Sequence, residues 1–173
     1  MQRISVVGTT GSGKTTLARQ ISQRLTISHI ELDYLHWEPN WVEVANDVMR
    51  DRVSQSLSGD RWVVDGNYSI VRDIVWPRAD TVVWLDYSWP VVMRRILWRT
   101  LLRVVTQQEV CNGNYETWQK SFWNRDSILL WAIQTYGKNR QKYQTLFHES
   151  NYAHLNFIRL HSPVAAKDWL LSL

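Results

Sequence analysis

Gly8-Thr9-Thr10-Gly11-Ser12-Gly13-Lys14-Thr15 follows directly on the apolar run Ile4-Ser5-Val6-Val7. The segment fits G-x-x-x-x-G-K-[ST], a turn whose backbone N–H groups wrap a polyphosphate. Glycine lets the chain approach the ligand closely and take torsions that a Cβ would penalise. A helix leaving such a turn points its unpaired N–H groups and positive dipole end at the phosphates. In this pattern Lys14 reaches the β- and γ-phosphates and Thr15 places its hydroxyl on Mg²⁺. The context agrees. RISVVG reads as a strand, and TTLARQISQRL carries Leu17, Ile21 and Leu25 on one helical face. A chance glycine-rich turn would have neither flank.

The chain that must hold this unit has 173 residues, which suits one domain. Strands are predicted at Ile4–Val7, His29–Leu32, Trp62–Val64, Thr81–Leu85 and Phe157–Leu160, and helices near 14–25, 43–57, 90–104, 115–146 and 163–172. Strands alternating with helices imply βαβ units and a mostly parallel sheet, buried on both faces, with ligands at the carboxyl ends of the strands. The single cysteine, Cys111, excludes an internal disulfide and a cysteine metal cluster, and fits a reducing cytoplasm. The first strand is expected within the first residues, leaving no place for a signal peptide. No apolar run reaches membrane-spanning length.

Three predicted strands stop at a carboxylate: Asp33, Asp65 and Asp86. Asp65 suits a Mg²⁺ site, which needs a carboxylate at such a strand end. Asp33 has the same placement, with a turn or cap as the plainer role. Asp86 reads equally as a cap, with Ser88 as good a candidate and Pro90 suited to a first helical turn. Next, VVMRRILWRTLLRVV sets Arg95, Arg99 and Arg103 at i, i+4 and i+8 on one face, without acidic partners at that spacing. Phosphoryl transfer uses such arginines to neutralise the moving group; a solvated basic face is the alternative. Between Arg94 and Lys142 nine basic residues stand against three acidic ones. Such a stretch attracts anions, whether nucleotide phosphates or nucleic acid. With no helix-turn-helix or zinc-finger pattern, a phosphate clamp is the simpler reading, and direct nucleic-acid binding is not expected. Lys138, Arg140 and Lys142 alternate and cannot share one helical face. Among eleven tryptophans, Trp37 and Trp41 lie close behind Asp33 and would stack a base or sugar, although tryptophan is more often core.

These residues together resemble the small P-loop kinases of the adenylate kinase-like, nucleoside monophosphate kinase group. The match runs through GTTGSGKTTLA, Asp33, VVDGNYSIVRD and VVWLD with its arginine-bearing helix. A closer resemblance, covering nearly the whole chain, is to bacterial proteins described as DNA topology modulation proteins; it rests on IELDYLHWEPNW, WVVDGNYSIVRDIVWPRADTVVWLD, CNGNYE and RDSILLWA. The resemblance implies a three-layer P-loop fold, with a five-stranded parallel sheet, helices on both faces and a helical lid at 104–121. It implies ATP as donor, held by Gly8, Thr9, Thr10, Gly11, Ser12, Gly13, Lys14, Thr15 and Thr16, with Ser162 beside the base. It gives Thr15 and Asp65 to Mg²⁺. Asp33, Trp37, Asp65, Asn67, Tyr68 and Arg72 would face a small acceptor. Lys14, Asp33, Arg99, Arg103 and Arg125 would serve catalysis, Arg125 from the lid exit. Adenylate kinases carry an arginine close behind Asp-Gly where Asn67-Tyr68-Ser69 stands here, and Tyr34-Leu35-His36-Trp37 replaces their acceptor helix pattern, so AMP does not carry over as acceptor.

The expected function is therefore a Mg²⁺- and ATP-dependent phosphotransferase acting on a nucleotide or another small acceptor. The rival is a nucleotide-binding regulator with slow hydrolysis and a macromolecular partner, with an effect on DNA topology. Neither adenine nor guanine is singled out.

Overall fold

The computed structural model describes residues 1–116 and 128–173, of which 128–131 are described by their backbone. Five strands form one parallel sheet: β1 (Arg3–Gly8), β2 (Ser28–Glu31), β5 (Trp62–Asp65), β6 (Thr81–Leu85) and β9 (Asn156–Leu160), in the order β2-β5-β1-β6-β9. β1 pairs on one side with β5 (Ile4 opposite Val63) and on the other with β6 (Val6 opposite Val83). All five predicted strands are present. The chain winds to one side of β1 through β2 and β5, then to the other through β6 and β9. The direction switches beside β1, where a ligand crevice is expected in such sheets.

The alternating side chains of the sheet feed two cores. Val7, Val64, Val82 and Trp84 point to one face, and pack against Met49 and Val53 of α3 (Asn46–Ser56), Val75 of α4 (Arg72–Val75), and Tyr143 and Leu146 of α6 (Ile128–Leu146). Ile4, Val6, Val63, Val83 and Leu85 point to the other, against Leu17 and Ile21 of α1 (Lys14–Leu25), Val92 and Ile96 of α5 (Trp89–Thr106), and Ala166 of α7 (Pro163–Leu171). Burial of each such aliphatic side chain stabilises by about 1.5–3 kcal/mol. Trp62, Trp76 and Trp84 are nearly sealed from solvent. Trp76 meets Tyr152 at 4.7 Å between centroids, and Trp84 meets Phe147 at 5.2 Å. These three tryptophans serve the core.

The structure departs from the predicted elements in three places. β2 ends at Glu31, in register with Asp65, and Leu32 turns into the core at the start of α2 (Leu32–His36), so Asp33 sits in a helical first turn rather than at a strand end. Residues 37–43 form a small hairpin, β3 (Trp37–Glu38) with β4 (Val42–Glu43), which takes up the expected first residue of the second predicted helix, so that α3 begins at Asn46. A second hairpin, β7 (Glu109–Cys111) with β8 (Asn114–Tyr115), occupies the described part of the expected helical lid. Its loop is Asn112-Gly113, both at positive φ (47° and 74°), as a two-residue primed turn requires. Among the described residues, no helix is long and apolar enough to cross a membrane.

Candidate nucleotide and phosphoryl-transfer site

The turn between β1 and α1 lies at the carboxyl edge of the sheet. Gly11 has φ +76°, and a Cβ there would stand 2.1 Å from Ile96 Cγ1, so a side chain is excluded by both torsion and space. The turn is closed by Ser12 N–H donating to Thr9 O at 3.1 Å. Gly13, in the left-handed region, caps α1 without a side chain, and the first turn of α1 carries no acidic residue. The helix dipole is therefore not neutralised from within, which leaves its N-terminus free to attract an anion.

Three cations converge on this turn. Lys14 Nζ donates to Thr9 O at 3.3 Å. Withdrawal from water holds its ammonium below the ordinary lysine range; the charges of Asp65 and then Asp33 act in the opposite direction. Arg95 Nη1 donates to Ser12 O at 2.8 Å, and its guanidinium lies over the Tyr87 ring. Arg99 has its Nε sealed from solvent with no hydrogen-bond partner among the described residues. Burial, then the neighbouring Arg103 charge, lowers its pKa, with Glu116 and Asp33 opposing. Arg103 itself donates to Glu116 Oε1 at 2.8 Å. Ser12 Oγ is a second buried polar atom without a partner among the described residues. Buried donors left unpaired are costly unless something completes them; here they line a turn shaped for phosphate.

Thr15, next in the chain to Lys14, meets Asp65. Thr15 Oγ1 donates to Asp65 Oδ2 at 2.7 Å, and His29 Nε2 lies 2.8 Å from Asp65 Oδ1. Asp65 is 5% exposed. A hydroxyl and a carboxylate are hard oxygen donors of the type that holds Mg²⁺ beside phosphates, water completing the shell, so the pair fits that ion. Asp33 accepts from Tyr68 O–H at 2.7 Å. Burial, then the Asp33 charge, pushes the Tyr68 hydroxyl pKa upward, so it remains a donor. Asn67 clamps the start of the phosphate turn: its Nδ2 donates to Gly8 O, and its Oδ1 accepts from Gly8 N–H at 3.2 Å. Tyr143 O–H also donates to that Oδ1, at 3.0 Å. Its amide thus faces the turn, where a substrate contact was expected.

Of the other candidates, Trp37 belongs to the β3–β4 hairpin, in edge contact with His36 and Trp41. Ser162 caps α7, its Oγ accepting from Ala165 N–H at 3.1 Å. Thr16 is exposed on α1. Arg125 lies outside the described residues. Asp86 is no cap either. It is buried, accepts from Arg159 Nη2 at 2.6 Å, and pairs with Arg140 Nε at 3.0 Å. Ser88 stands at the N-cap of α5 without a side-chain bond. Asp86, Ser88, Trp89, Tyr136, Arg140 and His161 border an open hollow of about 450 Å³, at the carboxyl ends of β6 and β9. Nucleoside-sized ligands suit cavities of that order.

Sequence reasoning missed several contacts. Arg95 was visible in the arginine series, yet its packing against Ser12 was not. His29 beside Asp65 and Glu116 beside Arg103 left no local pattern. The second hairpin had a signal in Asn112-Gly113.

No protein-family model matches the chain, and no curated protein matches it. Solved structures do. Shikimate kinase from Acinetobacter baumannii in complex with shikimate aligns at TM-score 0.62 and 16% identity, over 99% of this chain and 90% of that one. Shikimate kinase from Bacteroides thetaiotaomicron aligns at 0.59 and 15%, over 99% and 95%. A gluconokinase from Sinorhizobium meliloti 1021 aligns at 0.54 and 18%, over 99% and 92%. At such identities the likeness is one of fold, and these neighbours give no support to a DNA topology name. The sheet order, the phosphate turn and the near-complete overlap place this chain on the small P-loop kinase fold of the shikimate kinase type.

Proposed function

We propose that the protein is a Mg²⁺- and ATP-dependent phosphotransferase of the nucleoside monophosphate kinase-like group that moves the γ-phosphoryl group to a small acceptor. The observation that carries this reading is the pairing of Lys14 and Arg99, neither with a carboxylate bonded to it among the described residues, with Thr15 and Asp65 across one phosphate-shaped turn. Lys14 and the turn hold the donor phosphates. Thr15 and Asp65 hold Mg²⁺, which offsets phosphate charge. Arg99, with Arg103 behind it, takes up charge on the moving group. Asp33, aligned by the Tyr68 hydroxyl, orients an acceptor hydroxyl and receives its proton as the new P–O bond forms and the β,γ bridge breaks. The protein supplies position and charge, since phosphoryl transfer asks little covalent chemistry of it. The hollow beside Tyr136 and His161 takes the nucleoside.

Calorimetric titration with a non-hydrolysable ATP analogue tests this directly. Binding should require Lys14 and tighten with Mg²⁺, and Asp65→Asn should remove the Mg²⁺ effect. Equal affinity with and without Mg²⁺ in the unaltered protein would contradict the proposed roles of Thr15 and Asp65.

A further inference from the structure

β2 is an edge strand of the main sheet, and it sets His29 opposite Val63 and Glu31 opposite Asp65. Side chains alternate along a strand, so residues two apart share a face. Val63 packs with Leu17 and Ile21 of α1, and His29, Glu31 and Asp65 therefore lie on the face that α1 covers. The Asp65 carboxylate is divided between two partners there. Oδ2 accepts from the Thr15 hydroxyl at 2.7 Å, and Oδ1 lies 2.8 Å from His29 Nε2. An ionised carboxylate only accepts, so Nε2 carries the proton in this contact. The His29 side chain is 13% exposed. Its other nitrogen lies 3.7 Å from Glu31 Oε1, too far for a hydrogen bond. Arg19 Nη2 holds that same Glu31 oxygen at 3.1 Å.

A carboxylate bonded through one oxygen can still turn about its Cβ–Cγ bond. A second donor on the other oxygen removes that freedom and keeps Oδ2 turned to Thr15. Carboxylates that hold metal ions are themselves hydrogen-bonded in this way, and loss of such an outer partner costs about 10- to 100-fold in metal affinity. We infer that His29 is a positioning residue for the cation: its Nε2–H fixes Asp65, so that the Thr15 hydroxyl and the Asp65 carboxylate meet Mg²⁺ as a preset pair. His29 acts only through Asp65, and its role rests on the Mg²⁺ site of the proposed phosphotransferase.

The test is calorimetric titration with a non-hydrolysable ATP analogue, with and without Mg²⁺, read as the gain in affinity that Mg²⁺ brings. His29→Leu keeps apolar bulk and removes the donor; it should cut the gain about 10-fold and leave the metal-free affinity unchanged. His29→Gln, whose amide N–H reaches about as far as Nε2, should keep most of the gain. His29→Asn, whose amide stops short, should lose it as His29→Leu does, and serves if the leucine variant does not fold. Added to Asp65→Asn, His29→Leu should change nothing further, since its effect passes through that carboxylate. An unchanged gain in both His29→Leu and His29→Asn, a loss equal with and without Mg²⁺, or a further loss on top of Asp65→Asn overturns the role. The Mg²⁺ assignment of Thr15 and Asp65 fails separately, if the unaltered protein shows no gain at all.

Discussion

On the proposed reading, Arg99 is the side chain on which the chemistry most depends. Its Nε is sealed off without a partner among the described residues, and a buried cation with an unpaired donor is expensive unless a ligand anion arrives. Replacing it with alanine should lower kcat by about 10²- to 10³-fold, the cost of removing one charge-stabilising donor, while KM for ATP changes less than about threefold. Steady-state kinetics separates the two; an equal loss in both would assign Arg99 to binding alone. Lysine at this position should rescue poorly, because a point charge does not reproduce the planar fork. The turn that carries Lys14 and Thr15 was legible because its pattern depends on local spacing. Arg95 was legible only as one member of a helical series. Asn67 was expected at the acceptor, and its bond to Gly8 joins residues 59 positions apart, a separation that local spacing does not reveal.

Among the elements, the two hairpins are the least conventional feature. Asn112 Nδ2 donates to the carbonyls of Tyr34 and Trp37. Asn114 Oδ1 accepts from Trp41 N–H at 2.7 Å, and Asn114 Nδ2 donates to Glu38 O at 2.9 Å. The β7–β8 hairpin is thereby tied to the β3–β4 hairpin behind Asp33. Trp41 sits at φ +60°, a conformation that bulky residues rarely adopt, and these bonds hold it there. Asn114→Ala should release the contact: with each bond worth about 0.5–1.5 kcal/mol net, Trp41 amide exchange should quicken by about tenfold. Unchanged exchange would mean that the hairpins are held by other contacts. The main strands were legible from their apolar runs. The hairpins were not, because two-residue strands carry too little periodicity, and their ties span more than 70 residues. Asn112-Gly113 was nonetheless a usable turn signal, lying in a segment expected to form a helical lid.

At the scale of the whole molecule, one parallel sheet separates two cores and brings the phosphate turn, Asp65 and Asp86 to one edge. Trp84 packs between the sheet and α6, with Arg159 stacked at 4.5 Å on its ring. Trp84→Ala should cost about 3–5 kcal/mol in urea unfolding, as truncation of a large buried aromatic does. A loss under about 1 kcal/mol would mean that the core collapses around the gap. The layered architecture was legible because alternation of strand and helix leaves a mark in every segment. The proposed acceptor side was not, because it is assembled from α2, the turn after β5 and α6, which meet only in the folded chain. The central claim is transfer of a phosphoryl group to an acceptor, and the most direct measurement is ATP turnover with Mg²⁺ against paired acceptors: nucleoside monophosphates with their nucleosides, and hydroxy acids with the matching alcohols. Stimulation by one of these acceptors, abolished in Lys14→Ala, is the predicted result. ATP hydrolysis that is slow and indifferent to every acceptor would contradict it and favour a nucleotide-binding regulator.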